Sequence, residues 1–367
     1  MSASSAYRNS AAWVASVFWL GCGANPAPVR PPPAEPSPPK VQAPAPAVVL
    51  PEEPAGLCDL AKDVTPLARR AVKKTEGVSL DNLRDTMNVL ADPALHGRAA
   101  GSDDNRRVAR WLADRFAGIG LPPSPEANHC VPFERGSVRD QNVVAYLHRN
   151  GNPDAPVVLV GAHYDAQGQR DADVYPGADD NASGVAALLE IARIAAEKKT
   201  GPDMVFVAFG AEERGLLGAK AYVAAPSIPL RRVELMINLD MVGRPVLDGS
   251  PLRLLISRAD ETLGYVIGPQ DRQRTEELLQ RAAQREDRPL IGIPEVVLTR
   301  LGFGSDSVPF SPHVPTIFLS TGDHRDYHQP TDTQEKIDYE QILRAVRLTL
   351  AIVEEEANES QPQVISK

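Results

Sequence analysis

Four short apolar runs constrain this chain more than any other feature: Val157 to Ala162 (VVLVGA), Met204 to Phe209 (MVFVAF), Leu235 to Leu239 (LMINL) and Thr316 to Ser320 (TIFLS). Each reads as a strand buried on both faces. Amphipathic helical stretches alternate with them, as in Val185 to Lys198, where Ala187, Leu188, Ile191, Ile194 and Ala195 share one side. That alternation predicts an α/β fold, a three-layer α/β/α sandwich around a central mixed, mostly parallel sheet. Further elements are expected at Leu80 to Leu90, a helix capped by Ser79, and at Asn105 to Ala117, a helix stopped by Gly118 and Gly120. Gln141 to Leu147 reads as a strand, and the chain shows no internal repeat.

The residues just past the apolar runs matter as much. His163 and Asp165 come after the first, Glu212 and Glu213 after the second, Asp240 after the third, and the segment Asp323 to His328 after the fourth. In open α/β sheets ligands bind beyond the carboxyl ends of the strands, so these groups converge. A fifth contribution is the segment GADDNASG, residues 177–184, whose Asp179 and Asp180 precede a helix that Asn181 or Ser183 could cap. Taken singly each is bland: a surface His-Asp pair, one Glu-Glu among 48 acids, an Asp turn with a helix cap. Together they crowd carboxylates into one cleft, which is unfavourable unless cations compensate. Oxygen and imidazole donors without thiolate suit zinc, and Co2+ or Mn2+ as substitutes. With one bridging carboxylate, two His and three acids give each of two ions three protein ligands and leave a position open for water, as catalytic sites do.

Composition bounds the remainder. A length of 367 residues with 43% apolar and 24% charged residues excludes a wholly disordered chain or a multispan membrane protein. The net charge of -9, without a basic patch, gives no footing for nucleic acid. Ala11 to Leu20 is an apolar run of ten, too short to span a bilayer but suited to an export signal. Leu20-Gly21-Cys22 resembles the end of a bacterial lipoprotein signal, which would place a lipid anchor on Cys22; cleavage near Ala24 or a buried N-terminal segment are the alternatives. Twelve of the 34 prolines fall between Pro26 and Pro54. The expected organisation is an export signal over 1–24, a Pro-rich disordered tether over 25–55, a single folded domain over 56–357 and a disordered tail over 358–367. An exported chain, in the cell envelope as an outer-membrane lipoprotein or periplasmic protein, or secreted, would allow a Cys58–Cys130 disulfide; two free thiols are the alternative.

From about Leu90 to Leu350 the sequence resembles the di-zinc exopeptidases of the bacterial leucyl aminopeptidase type, a family that includes glutamate carboxypeptidases and glutaminyl cyclases. The resemblance rests on His163-Tyr164-Asp165, GADDNASG, Ala211 to Leu216 (AEERGL), Asn238-Leu239-Asp240-Met241, and Tyr327-His328-Gln329-Pro330 with Asp332-Thr333; Leu95-His96-Gly97-Arg98 with Gly101-Ser102 resembles the opening of the domain in exported members. It implies a zinc-peptidase (phosphorylase/hydrolase-like) sandwich holding two Zn2+. His163 and Asp240 would hold one ion, Glu213 and His328 the other, and Asp180 would bridge them. Asp165 would orient His163, Glu212 would be the general base, and Tyr327 would either steady the oxyanion or simply pack. The implied activity is removal of the first residue of a peptide with a free N-terminus through metal-activated water. A carboxypeptidase or glutaminyl cyclase on the same scaffold is the first alternative, and a non-catalytic peptide- or envelope-binding protein the second. Ser305-Asp306-Ser307 departs from the Ser-Asp-His of similar exported members, and no Gly-x-Ser-x-Gly turn makes either serine a nucleophile. His313 and His324 read as loop histidines. The segment Arg244 to Arg300 is expected to carry an inserted hairpin and helix that set specificity. Oligomeric state is not legible.

Overall fold

A computed structural model describes residues 72–360 apart from 124–128, 150–151, 153, 250, 257 and 294–303, together with Leu67. The expected signal, tether, Cys22 and Cys58 lie outside the described residues. Cys130 is disulfide-bonded. No helix among the described residues is long and apolar enough to cross a membrane.

Local signals place most elements. Helix α1, Leu80–Leu90, starts at Ser79, whose hydroxyl accepts the Asn82 N–H. Helix α2, Asp103–Ile119, starts at Ser102 and ends at Gly120, whose φ of 92° turns the chain into the left-handed region. The Leu121 N–H then closes back on the Phe116 carbonyl at 3.1 Å, so Gly120 alone is the stop and Gly118, also expected to end the helix, stays inside it. The strands are β1 (Cys130–Arg135), β2 (Val138–Leu147), β3 (Val157–His163), β4 (Gly168–Arg170), β5 (Asp173–Tyr175), β6 (Asp203–Phe209), β7 (Val233–Leu239), β8 (Leu263–Ile267), β9 (Leu290–Gly292) and β10 (Thr316–Ser320). The other helices are α3 (Gly184–Glu197), α4 (Leu217–Ala224), α5 (Arg272–Arg285), α6 (Ser307–Phe310) and α7 (Tyr339–Ser360).

Eight strands form one sheet in the order β1-β2-β6-β3-β7-β10-β8-β9, and β4 and β5 form a separate hairpin. The centre, β6-β3-β7-β10, is parallel, and β1, β2 and β6 pair antiparallel at one side. Side chains alternate across the strands with period two. Val158, Val160 and Ala162 of β3 face a core shared with α1, α2, α3, α5 and α7, while Val157 and Leu159 face a smaller one with α4 and α6. These are the three expected layers, with a mixed sheet between them.

One expectation is corrected at the far edge. The hairpin expected between Arg244 and Arg300 is instead a β8-α5-β9 unit, because β8 and β9 pair parallel. Parallel neighbours need a crossover, and α5 supplies it. The sequence pattern shows the helix there but cannot show the direction of two short strands.

Candidate metal centre

Each expected site residue leaves the carboxyl end of a parallel strand or the turn facing it. His163 is the last residue of β3, Asp240 follows β7, Glu212 and Glu213 follow β6, and His328 follows β10. Asp180 comes from the irregular helical turn Ala178–Ser183 that feeds α3. The structure gathers the donors into two groups, His163 with Glu212 and Asp240, and Asp180 with Glu213 and His328. Asp180 faces both: its Oδ1 lies 3.3 Å from His163 Nε2 and its Oδ2 3.0 Å from His328 Nε2. Asp240 Oδ1 is 3.3 Å from His163 Nε2, and Glu213 Oε2 is 3.2 Å from His328 Nε2. Donors about 2.0–2.1 Å from a tetrahedral zinc stand roughly 3.3 Å apart, so these spacings fit two zinc ions sharing one carboxylate.

The polar atoms agree. Among the described residues, His163 Nε2, Asp240 Oδ1 and Glu213 Oε1 are buried without a hydrogen-bond partner. Such groups are costly unless something satisfies them, and a cation does so for lone pairs that converge. Burial opposes charge on His163, yet Asp240, Glu212, Asp165 and Asp180 outweigh it and hold its pKa well above the imidazole range. His328 responds the same way, pushed up to about 10 by Asp180 and Glu213 against the effect of burial. Glu212 goes well above the carboxylate range, first through burial and then through Asp306, Asp240 and Asp165, with His163 opposing. Asp180 goes down: burial is outweighed by the two imidazoles that face it. A pocket that must draw protons onto its imidazoles to balance its acids is a pocket suited to metal charge.

The supports are built from backbone. Asp165 accepts the N–H of Glu212 at 3.0 Å and of Glu213 at 3.2 Å, so one carboxylate fixes the backbone of both glutamates, and its Oδ1 stands 3.6 Å from His163 Nδ1. The Asn181 carboxamide accepts from Gly184 N–H at 3.0 Å and Met241 N–H at 3.2 Å and donates to the Leu239 carbonyl at 2.9 Å. Asn181 therefore caps α3, one of the two residues expected to do so, and also ties the Asp180 turn to the end of β7. Ser183 instead donates to the Asp179 carbonyl. Asp332 accepts the N–H groups of Asp179 and Asp180. Ala211, Met241 and His328, all non-glycine, hold φ of 54°, 58° and 53° beside or within the donor set. Residues are kept in that region only where surroundings over-determine them, as at functional sites. Tyr327 stacks on the His328 ring at 3.8 Å.

Three contributors are not evident from the sequence. Ser305 Oγ donates to Asp240 Oδ2 at 2.6 Å and accepts from Asn238 Nδ2 at 2.6 Å, leaving Asp240 Oδ1 to face His163. The Gln167 amide nitrogen reaches Glu213 Oε2 and lies 3.3 Å from His328 Nε2, with Arg170 holding its oxygen at 2.6 Å. Asp306 is fully buried with both oxygens unpartnered among the described residues, and burial drives its carboxyl well above the usual range. Ser305 and Asp306 directly follow no described strand end, and Gln167, two residues past Asp165 beyond β3, is neither acid nor imidazole, so the signal that revealed the rest passes over all three. His324 lies, as expected, in the irregular segment after β10 and belongs to neither donor group; it is buried there, its Nε2 3.2 Å from Asp179 Oδ2.

Known proteins resemble the chain in sequence or in fold. Aminopeptidase YwaD of Bacillus subtilis is 34% identical over 236 residues, 62% of this chain and 47% of that protein; the chain thus spans about half the length of that relative. The solved zinc aminopeptidase BSAP from Bacillus subtilis superposes with a TM-score of 0.60 at 18% identity, covering 79% of this chain and 98% of that one. A Porphyromonas gingivalis glutaminyl cyclase superposes with a TM-score of 0.57 at 20% identity, over 77% and 100% of the two chains. Residues 142–353, a span that holds every one of the donors, match the profile of Peptidase family M28, and the chain belongs to that family.

Proposed function

We propose that the protein is an exported zinc aminopeptidase that hydrolyses the first peptide bond of peptides with a free N-terminus. The observation that carries this reading is Asp180, whose two oxygens each face a different imidazole. His163 and Asp240 would hold one Zn2+, Glu213 and His328 the other, and Asp180 would serve both; Co2+ or Mn2+ could stand in. When bound, the ions polarise the scissile carbonyl and acidify the attacking water. Glu212 takes the proton from that water and returns it to the leaving amine. Its burial beside acids suits it to hold that proton. Asp165 keeps the Glu212 backbone and the His163 ring in register. Tyr327, braced on His328, stands beside the donors where it can steady the oxyanion. Export, with Cys22 as a lipid anchor, rests on the N-terminal pattern and belongs to the same proposal.

The glutaminyl cyclase likeness is one of fold. Cyclases of this family work with one zinc, so a donor set complete for two favours hydrolysis. The test is a panel of aminoacyl anilides beside the same compounds N-acetylated, with zinc content assayed on the same sample. Cleavage of the free-amino substrates alone, with two zinc per chain, supports the proposal. Zinc-loaded protein that cleaves neither set refutes the aminopeptidase assignment, and protein that binds no zinc refutes the site.

A further inference from the structure

Arg98 is fully buried, and its guanidinium ends on backbone carbonyls rather than on a carboxylate. Its Nε donates to the Tyr164 carbonyl at 2.8 Å, Nη1 to Leu90 at 2.8 Å and to Pro176, and Nη2 to Gly177 at 2.7 Å. Tyr164 lies between His163 and Asp165. Pro176 and Gly177 lead directly into the turn that carries Asp180. The guanidinium therefore sits where two donor-bearing segments meet, and binds the backbone of both.

The surroundings are shaped around this contact. Gly177 has φ of 57°, and a Cβ there would lie 2.1 Å from the Asp180 carbonyl and 3.0 Å from Arg98 Nη2. Arg98 itself is held at φ of 39°, an uncommon conformation for a side-chain-bearing residue. Burial lowers its pKa to about 10, and the charges of Asp180, Asp165, Asp332 and Glu213 offset part of that effect, so it stays charged at neutral pH. Only arginine offers donors in a planar fork wide enough to span carbonyls of three segments; the lysine ammonium is a point donor.

We propose that Arg98 is a positioning residue for the metal centre: it fastens the β3 end bearing His163 and Asp165 to the turn bearing Asp180, so that donors from both stand at ligand spacing before an ion binds. This rests on the assignment of the two donor groups as a metal centre. It goes beyond the donors themselves, because Arg98 lies outside the donor set and ahead of the family-matched span.

The test uses full-length protein and two variants. Arg98→Lys keeps the charge and removes the fork; Arg98→Gln removes the charge as well. Zinc affinity is read by competition with a chelating dye on metal-free protein, and Tm with and without zinc. The Lys variant is expected to fold and to bind zinc at least about tenfold more weakly, as loss of groups that orient metal ligands does. Its Tm should gain less on zinc addition than the parent's. If the Gln variant does not fold, the Lys variant still decides. A folded Lys variant with a lowered Tm but parental zinc affinity would make Arg98 a core residue only and overturn the proposal. A parent that binds no zinc would instead overturn the metal-centre assignment, a result visible before any variant is compared.

Discussion

Replacing Ser305 by alanine tests whether the donor set is held from behind. The hydroxyl makes two hydrogen bonds of 2.6 Å, one to the Asp240 carboxylate and one from the buried Asn238 amide. A hydrogen bond to a charged group contributes about 1.5–3 kcal/mol, and a buried donor left without its acceptor costs about 1–3 kcal/mol. The first loss falls on Asp240, freeing its carboxylate to rotate away from His163. In metal affinity about 1.4 kcal/mol is tenfold, so the hydrogen bond alone predicts zinc binding about 10- to 100-fold weaker at the His163–Asp240 position. The second loss falls on the fold and appears as a lower unfolding free energy with or without metal. Zinc affinity measured by stepwise competition, with urea unfolding of the metal-free protein, separates the two. Ser307→Ala is the control, since that buried hydroxyl lies in α6 and not on Asp240. Parental affinity at both positions in Ser305→Ala, or an equal loss in Ser307→Ala, would refute the reasoning.

Two further changes probe the proton and the fold. Glu212→Gln should lower turnover by about 100- to 10,000-fold while both zinc ions stay bound; unchanged kcat would remove Glu212 as the base. Asp140, a buried residue of β2, takes N–H groups from Gly101 and Gln141, and has its pKa raised from 3.8 to about 7, first by burial and then by Asp165. Between those values the native state keeps a proton that the unfolded chain has lost. Stability therefore falls as pH rises through that window, by up to about 1.4 kcal/mol per pH unit from this group. Asp140→Asn removes the titration and keeps one of the two acceptor oxygens, so the variant is less stable throughout but its urea unfolding from pH 5 to pH 7 should show a shallower decline. An identical decline in parent and variant would refute the assignment.

Some of this molecule was settled by the order of its residues. A strand buried on both faces must be continuously apolar, so β3, β6, β7 and β10 announce themselves, and a polar group straight after such a strand has nowhere to go but the rim. His163, Glu212, Glu213, Asp240 and His328 were legible for that reason, and Asp180 because its turn opens α3. Helix ends were legible where a serine cap or a left-handed glycine marks them, as at Ser79 and Gly120. What only the tertiary structure decided were contacts across long separations and the direction of short edge strands. Ser305 reaches Asp240 over 65 residues, Gln167 approaches His328 over 161, and Arg98 spans 66 to Tyr164 and 79 to Gly177. Nothing local reveals these contacts, even where a motif marks the residue, because each depends on which backbone the fold brings to it. The parallel pairing of β8 and β9 is hidden for the same reason: three residues can pair in either sense, and packing of α5 against the rest of the sheet chooses. Periodicity and strand ends are written in neighbouring residues, whereas support for a site is written in the fold that neighbours make together.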